Sequence, residues 1–286
     1  MARGPRGNPP VLKRFGQHFL NDTVILQSIA DAVEAHPGDT VIEIGPGRGS
    51  LTDILAARDN NLIAIEIDRA LSEQLRTRYS HNPRVTIIEE DVLDVDIRSI
   101  VNGPFVVVGN VPYYITTPIL FHVMRPPFPR SAVFLIQREV AERIVAKPDT
   151  REYGALSVNV QAFANAEIVR HVPPGAFRPP PKVDSAVIRI VPRTDPLIEA
   201  NEVEPFRIFV QGLFGMRRKQ LGNTLRSVSG LSGDVVARKL SELGIDPRTR
   251  SETLSPLELV ALMRAVTSGS TRSHEGTEAH GENANK

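Results

Sequence analysis

Short apolar segments rich in Val and Ile recur through the first two thirds of the chain, separated by segments with helical spacing. Five of them predict strands: TVIEIG (40–45), NLIAIEID (61–68), RVTIIEED (84–91), PFVVVGN (104–110) and SAVFLIQ (131–137). Segments such as SLTDILAAR and ALSEQLRTRY, which lie between these strands, have the spacing of helices. This alternation predicts a parallel sheet that is covered by helices on both faces.

The pattern changes twice towards the C-terminal end. AEIVRHVP (166–173) and VDSAVIRIVP (183–192) have no helix between them, which predicts an antiparallel pair closing one edge of the sheet. After about residue 196, PFRIFVQGLFGMRRKQLGNTLRSV, SGDVVARKLSELG and SPLELVALMRAV have helical periodicity. We therefore predict a sheet domain over 1–194, a small all-helical domain over 195–266 and a disordered, Gly-rich tail over 267–286.

Composition narrows the classes of protein to consider. The 286 residues are 41% hydrophobic and 23% charged, as is usual for a globular protein. The absence of cysteine excludes disulfides, thiol nucleophiles and cysteine metal sites, and no other metal site is predicted. No apolar run has the length of a membrane span, and the first residues lack the apolar segment of a signal peptide. We expect a cytoplasmic protein with no membrane partner.

The net charge of +1 hides two basic segments. The first 19 residues hold four basic residues and no acid: Arg3, Arg6, Lys13 and Arg14. Arg217, Arg218 and Lys219 form a second basic segment, and Arg226 follows on the same predicted helix. A run of charge is usually only a solvated face, so these segments gain meaning only from the chemistry found elsewhere.

The segment VIEIGPGRGSLTDIL places three glycines between a predicted strand and a predicted helix: Gly45, Gly47 and Gly49. Glycines at this point let the backbone turn sharply and approach a ligand, with helix N–H groups facing it. A tight structural turn or a dinucleotide site would use similar residues. Pro46 removes one N–H from the loop, which disfavours a site that binds pyrophosphate through bare amides.

Acids at the ends of the next two predicted strands define the ligand further. Glu66 is placed to accept hydrogen bonds from ribose hydroxyls, and Asp91 from an adenine amino group. The spacing Glu43-Ile-Gly-Pro-Gly-Arg-Gly49 resembles the E-x-G-x-G-x-G of enzymes that use S-adenosyl-L-methionine. The predicted fold is thus the α/β, Rossmann-like sheet of a class I S-adenosylmethionine-dependent methyltransferase, followed by the small helical domain.

The segment GNVPYYITTP (109–118) carries an amide and rings at the end of the fourth predicted strand, with no acid, base or thiol. An exocyclic amine on a nucleobase is a poor nucleophile that needs alignment and hydrogen-bond acceptors. The side-chain oxygen of Asn110 and the carbonyl of Val111 or Pro112 are candidate acceptors, and Tyr113 is a candidate stacking partner for the base. In a purely structural interpretation, Asn110 caps a turn and the tyrosines belong to the core or to an interface.

Five segments in order resemble the ribosomal RNA adenine dimethyltransferase family. They are RFGQHFLND (14–22), EIGPGRGSLT, EED, NVPYYITTPI and FRPPPKVDSAVIRI (177–190), and the likeness extends from about Arg14 to Val266. It is stronger to the bacterial housekeeping branch, which dimethylates two adjacent adenines near the 3′ end of 16S rRNA. The resemblance therefore implies an enzyme acting on 16S rRNA within the small ribosomal subunit or its precursor. Nothing in the sequence suggests more than a monomer.

The resemblance also implies roles for individual residues. The cofactor contacts that it implies are His18, Leu20, Gly45, Gly47, Glu66, Asp91 and Asn110. It makes Asn110 and Tyr113 the catalytic pair, and Phe177 an aromatic residue that packs against the target base from the other side. The segment LFGMRRKQLGNTLR resembles the family's RNA-facing helix, so Arg217, Arg218 and Lys219 are predicted to bind RNA. His18 stands where the family usually has Asn, and Arg48 replaces a more usual apolar residue.

Three alternatives remain at this point. A resistance-type enzyme would apply the same chemistry to an adenine of large-subunit rRNA. A non-catalytic RNA-binding assembly or transcription factor would keep the fold, although it has no need of the Asn110–Tyr113 pair and the acids. A small-molecule methyltransferase has no need of the basic segment and the helical domain.

Overall fold

The computed structural model describes residues 18–216 and 218–267. The basic residues Arg3, Arg6, Lys13, Arg14 and Arg217, and the predicted tail after Thr267, lie outside the described residues. Within the described part of the chain, no helix is long and apolar enough to span a membrane.

Nine strands and ten α-helices are formed by the described residues. The strands are β1 (Phe19–Leu20), β2 (Thr40–Ile44), β3 (Asn61–Glu66), β4 (Val85–Glu89), β5 (Phe105–Asn110), β6 (Ala132–Gln137), β7 (Ala164–Val172), β8 (Phe177–Arg178) and β9 (Ser185–Pro192). The helices are α1 (Thr23–Ala32), α2 (Ser50–Ala56), α3 (Arg69–Arg78), α4 (Thr116–Val123), α5 (Arg138–Val145), α6 (Ala155–Gln161), α7 (Val203–Gly215), α8 (Leu221–Ser229), α9 (Gly233–Glu242) and α10 (Pro256–Thr267).

Seven strands form one sheet in the order β4-β3-β2-β5-β6-β9-β7. The five strands from β4 to β6 are parallel, while β9 runs antiparallel to both β6 and β7. The predicted strands, and the predicted antiparallel pair at one edge, are confirmed. The order reverses between β2 and β5, because the chain builds the sheet outwards to β4 and then returns to the other side of β2. Ligands of such sheets bind at the carboxyl ends of the strands beside this reversal.

Burial on both faces holds the centre of the sheet in place. All five residues of β2 are buried, and Phe105–Val108 in β5 are buried too. Full burial of a Val or Ile side chain stabilises a fold by about 1.5–3 kcal/mol. These strands gain that stabilisation on both sides only where helices cover both faces of the sheet. α1 covers one of them with Ile25 and Ile29, and its first turn is capped by Asp22, whose carboxylate accepts from the N–H of Val24 at 3.0 Å.

The described residues group into two compact units. The sheet unit comprises the chain up to Val145 together with Phe163–Pro196, and the helical unit comprises Ala146–Ala162 together with the chain from Leu197 onwards. The predicted division had placed 146–162 with the sheet. Tyr153 shows why this segment groups with the helices: its hydroxyl donates to the carbonyl of Leu254 at 2.8 Å, and its ring meets Phe214 edge-to-face at 6.1 Å.

The continuous helix predicted across the basic segment is wrong. α7 ends at Gly215 and α8 begins at Leu221, so Arg218 and Lys219 lie in the turn between them. The N–H of Leu221 donates to the carbonyl of Thr249 at 2.7 Å. The first N–H groups of a helix have no partner within the helix, and here one of them is bonded to another segment of the helical unit. This contact stabilises a separate helix α8 in place of a continuous one. Sequence periodicity alone does not contain this tertiary contact.

Candidate active site

A cavity lies in the sheet unit at the carboxyl ends of β2, β3, β4 and β5. Eight of the predicted site residues line it together: His18, Leu20, Gly45, Gly47, Glu66, Asp91, Asn110 and Tyr113. They come from segments distant in sequence. The parallel strands bring together the residues that follow β2, β3, β4 and β5, whereas His18 and Leu20 come from the segment of β1, outside this sheet.

The glycine loop after β2 has backbone angles that favour glycine. Gly45, Gly47 and Gly49 have φ values of +67°, +58° and +85°. Space is restricted as well, because a Cβ on Gly47 would lie 3.0 Å from the Phe19 ring and one on Gly49 would lie 2.7 Å from the Arg78 guanidinium. The predicted tight turn is therefore present and is packed from both sides.

α3 holds this loop through Arg78, a residue that carries no functional signal in the sequence. The Arg78 guanidinium donates to the carbonyl of Arg48 at 3.0 Å and to the Asp53 carboxylate at 3.3 Å. Asp53 lies in the first turn of α2 and also accepts from the Tyr79 hydroxyl at 2.5 Å. In the sequence, Arg78 and Asp53 appear only as polar positions of two helices, and their contact depends on how the helices pack.

Arg48 lies at the wall of the cavity. Its guanidinium carbon is 4.4 Å from the centre of the Phe19 ring, which is the geometry of a cation–π contact. The unusual arginine in the loop thus packs on β1 and joins the glycine loop to the segment that carries His18 and Leu20.

Glu66, the last residue of β3, connects the end of this strand to the glycine loop. Glu66 is 5% exposed, and its carboxylate accepts from the N–H groups of Gly47 and Asp68, each at 2.9 Å. Burial raises the pKa of Glu66, and these backbone hydrogen bonds act in the opposite direction. A carboxylate has about four acceptor sites, so two further hydrogen bonds can be accepted from a ligand.

Asp91 lies two residues after the end of β4, on the wall of the cavity. It is half-buried, and one carboxylate oxygen accepts from the N–H of Leu93 at 3.0 Å. This hydrogen bond fixes the side chain in an Asx turn and leaves it acceptor capacity for a ligand.

Asn110 and Tyr113 are each held by a hydrogen bond from outside their own loop. The side-chain nitrogen of Asn110 donates to the carbonyl of His18 at 2.9 Å, which leaves the side-chain oxygen of the amide as the acceptor. The Tyr113 hydroxyl lies 2.5 Å from the Ser185 hydroxyl, and burial raises the pKa of Tyr113. The His18 and Tyr113 rings are near-parallel, with centroids 6.2 Å apart, and His18 Nδ1 donates to the carbonyl of Pro179 at 2.9 Å.

Of the predicted catalytic and cofactor-binding residues, Phe177 is the one that does not line the cavity. β1 pairs antiparallel with β8, which sets Leu20 opposite Phe177. The Phe177 side chain is 0% exposed and belongs to the core beneath the sheet, with Ile29 and Val172. Packing of this ring against a target base would require a displacement of β8, so that role stays a prediction.

Glu43 is a buried acid at the cavity that stands out in the sequence only as the first letter of the glycine motif. It lies in β2 beside Ile44, and its Oε2 has no hydrogen-bond partner among the described residues. Burial raises the pKa of Glu43 to about 8, and the negative charges of Glu66 and Asp53 add to this effect. Glu43 is therefore mostly protonated at neutral pH when no ligand is bound.

No group of three or more His, Asp or Glu side chains in residues 18–216 and 218–267 is arranged to hold a metal ion. The chemistry of the cavity is set by glycine backbone, carboxylates, one amide and aromatic rings.

Comparison with known proteins identifies the family of the chain. The family model described as ribosomal RNA adenine dimethylase matches residues 11–267. The chain belongs to this family. Among its relatives, the ribosomal RNA small subunit methyltransferase A of Geobacter metallireducens is 42% identical over 261 residues, covering 89% of this chain and 94% of that protein. The protein of the same name from Acinetobacter baylyi is 42% identical over 253 residues, covering 87% and 90%.

Two solved structures share the fold of this chain. A dimethyladenosine transferase from Plasmodium falciparum superposes with a TM-score of 0.77 at 24% identity, covering 86% of this chain and 96% of that one. The 23S rRNA methyltransferase ErmE superposes with a TM-score of 0.68 at 28% identity, covering 87% and 99%. The predicted family, the class I methyltransferase fold and the helical C-terminal part are confirmed.

The buried Glu43 gives a testable dependence of stability on pH. The pKa of Glu43 rises from its ordinary value of 4.5 to about 8 in the folded protein. Between these pH values Glu43 is ionised in the unfolded chain and protonated in the folded protein. The contribution of Glu43 to stability is therefore fully present below pH 4.5 and is lost as the pH rises to 8, by up to about 1.4 kcal/mol per pH unit. We expect Glu43→Gln, which cannot ionise, to fall less steeply in urea unfolding measured from pH 5 to 8.

The control is Glu73→Gln, since Glu73 is exposed on α3 in a surface pair with Arg69. Its stability curve should run parallel to that of the unsubstituted protein. If the Glu43→Gln curve also runs parallel, Glu43 is not protonated in the folded state.

Proposed function

We propose that this ribosomal RNA adenine dimethylase transfers methyl groups to the N6 amino groups of two adjacent adenines, in a loop near the 3′ end of 16S rRNA. S-adenosylmethionine is the methyl donor. The observation that carries the proposal is the bond from the Asn110 amide nitrogen to His18, which presents the amide oxygen as an acceptor at the end of β5. The 42% identity to small-subunit methyltransferases supports the small subunit as the substrate.

The residues present in the cavity fit S-adenosylmethionine. The glycine loop gives close backbone approach, Glu66 has acceptor capacity for ribose hydroxyls, and Asp91 has it for the adenine amino group. Ile67 is exposed at the cavity wall directly after Glu66, where its side chain can cover the face of the adenine. When bound, this cofactor supplies a methyl group already activated on a sulfonium.

The protein then has to align an amine and accept its hydrogens. Asn110 supplies one acceptor. The carbonyl of Pro112 already accepts from the N–H of Ile115 and from the Thr116 hydroxyl, each at 3.2 Å. Because a carbonyl has two lone pairs, this occupancy favours Val111 as the second acceptor. Two such acceptors draw the amine towards tetrahedral geometry, and no strong base is needed because the nitrogen becomes acidic once it carries the methyl group.

Tyr113 supplies a ring on which the base can stack. Its hydroxyl is tied to Ser185 and its face lies beside His18, so the ring has a fixed position before the base arrives. A fixed ring holds the amino nitrogen in line with the methyl group without any further loss of side-chain freedom.

The RNA partner is proposed to lie against basic residues of the helical unit. Arg218, Lys219 and Arg226 are exposed there, and each can neutralise a phosphate. Unpaired adenines in an RNA loop are easier to splay into a pocket than paired ones. We propose that the enzyme acts as a monomer on the small subunit or its precursor, in the cytoplasm.

The direct test supplies labelled S-adenosylmethionine and the purified protein to small and large ribosomal subunits from a strain that lacks these methyl groups. Digestion should release labelled dimethyladenosine from the small subunit alone. Label in the large subunit would identify a resistance-type enzyme, and label in neither would contradict the proposal.

Glu66→Ala should weaken the binding of S-adenosylmethionine by about 1.5–3 kcal/mol, the range for hydrogen bonds to a charged group. Glu66→Gln should have a smaller effect, because its amide oxygen still accepts from the N–H of Gly47 or from one hydroxyl. Calorimetry on the folded variants measures this, with Glu73→Ala as a surface control. Unchanged affinity in Glu66→Ala would exclude the ribose contact.

Asn110→Ala should abolish single-turnover methylation while subunit binding stays nearly intact, because binding rests on a much larger basic surface. Tyr113→Ala should also be severe, since it removes stacking worth about 1–3 kcal/mol. Tyr113→Phe should retain much of the activity, because it keeps the ring. Ser185→Ala is its matched control, since it removes the same hydrogen bond from the other side. If Tyr113→Phe is as inactive as Tyr113→Ala, the hydroxyl takes part in the reaction and the stacking role is wrong.

Changing Arg217, Arg218 and Lys219 together to Ala should weaken subunit binding and flatten its dependence on salt. The slope of log K against log salt should fall by roughly 0.7–0.9 for each phosphate that the variant no longer neutralises. Arg248→Ala is the control, because Arg248 is exposed in the same unit but already paired with Asp246 at 2.8 Å. An unchanged salt slope in the triple variant would show that this turn does not face phosphate.

A further inference from the structure

Tyr114 presents an aromatic ring at the cavity that none of the roles proposed above uses. It lies on the cavity wall directly after Tyr113, and its side chain is 63% exposed. Among the described residues of the sheet unit, the large exposed hydrophobic side chains are Val24, Ile67, Tyr114, Val169 and Val183. Tyr114 is the only aromatic residue of this group.

The two neighbouring tyrosines are in different states. Tyr113 is half-buried and its hydroxyl is tied to Ser185, so its ring belongs to the inner wall of the site. Tyr114 contributes little to the core, because most of its side chain faces solvent. An exposed aromatic ring at a binding cavity is typical of a contact with a ligand rather than of folding.

The backbone beneath the ring is well fixed. Tyr113–Ile115 form a 3₁₀ turn, which begins after Pro112 and is closed by the N–H of Ile115 on the Pro112 carbonyl at 3.2 Å. The Thr116 hydroxyl donates to the same carbonyl, and α4 starts at once. A ring on a fixed backbone loses little freedom on binding, as a stacking platform requires.

We propose that the Tyr114 ring binds the unpaired nucleobase next to the target adenine in the RNA chain. This inference rests on the proposed function, because it takes an RNA strand as the occupant of the cavity mouth. When the target base enters the pocket beside Tyr113, its neighbour is held within one nucleotide of it and therefore stands at the entrance. Tyr114 is the next residue along the chain and is the exposed ring there.

The chemistry of the ring favours a base over other occupants. Every nucleobase offers a flat π-face, and aromatic side chains are the usual partners of splayed bases in RNA-binding sites. In the proposed substrate the neighbour is itself an adenine, so either member of the pair can occupy the inner site while the other stacks on Tyr114. The subsite would thus help the enzyme to recognise two adjacent unpaired purines.

The test measures KM and kcat for small subunits that lack the methyl groups, using Tyr114→Ala, Tyr114→Leu and Tyr114→Phe. Loss of one stacked base corresponds to a rise in KM on the order of five- to 150-fold, from stacking worth about 1–3 kcal/mol. We expect this rise in Tyr114→Ala, most of it in Tyr114→Leu, and close to the original KM in Tyr114→Phe. The dissociation constant of S-adenosylmethionine should be the same in all three. The matched control is Val169→Ala, which truncates a 42% exposed side chain on β7, outside the cavity wall.

A second measurement separates stacking from other contacts. Small subunits are rebuilt with an abasic nucleotide next to the target adenine, which should raise KM for the unsubstituted enzyme but add little to the defect of Tyr114→Ala. Additive defects would overturn the proposal. A Tyr114→Leu variant equal to the unsubstituted enzyme would also overturn it, because an apolar contact with a ribosomal protein would then suffice. If the unsubstituted enzyme methylates no small subunit at all, the proposed function fails, whereas unchanged KM in Tyr114→Ala with normal methylation defeats this inference alone.

Discussion

The register of β2 against its two neighbours is the constraint on which the site depends. Ile44 pairs with Ile65 on one side and with Gly109 on the other, so the residues that follow, Gly45, Glu66 and Asn110, emerge at one level. Gly109 makes this approach possible, because a Cβ there would lie 2.7 Å from the carbonyl oxygen of Ile44. A larger residue at 109 would therefore push β5 away from β2 or change its register. Because a slip of one residue turns each side chain to the other face of the sheet, the residues at both strand ends would be displaced together.

Much of the fold and the cavity could be predicted because the signals for both are local. Continuous Val- and Ile-rich runs indicate strands buried on both faces, and acids or amides at their carboxyl ends fall on one edge of a parallel sheet. This is enough to gather Glu66, Asp91 and Asn110 without knowing how any helix packs. The glycine spacing likewise contains its own backbone requirement, which the positive φ angles bear out.

What could not be predicted depends on tertiary contacts. The break between α7 and α8 follows from the bond of Leu221 to Thr249, and the grouping of 146–162 with the helices follows from the anchoring of Tyr153. The burial of Phe177 follows from the pairing of two-residue strands, which are too short to leave a periodic pattern in the sequence. The role of Arg78 could not be predicted either, because it depends on the packing of α3 against the glycine loop, where Arg78 donates to the carbonyl of Arg48.

The charges of the two units suit the two ligands of the proposed reaction. Glu66 and Asp91 lie at the cavity, where carboxylates favour a cationic cofactor over phosphate. Under the proposed function, the neutral base is the part of the RNA that enters it. The basic residues that are proposed to bind phosphate, Arg218 and Lys219, belong to the other unit. Under the proposed function, different sets of residues thus bind the polyanion and the sulfonium, so that neither ligand competes for the other's contacts.

Dimethylation places a further demand on this arrangement. After the first transfer the amine carries one N–H in place of two, so one of its two proposed acceptors, Asn110 or the Val111 carbonyl, has no donor left. In the second transfer, alignment of the amine must then depend more on stacking of the base against the Tyr113 ring. Ser185 and His18 hold that ring in place. A site in which hydrogen bonds alone fixed the amine would favour a single methylation. The fixed aromatic wall therefore explains, under the proposed function, how one set of residues serves both transfers.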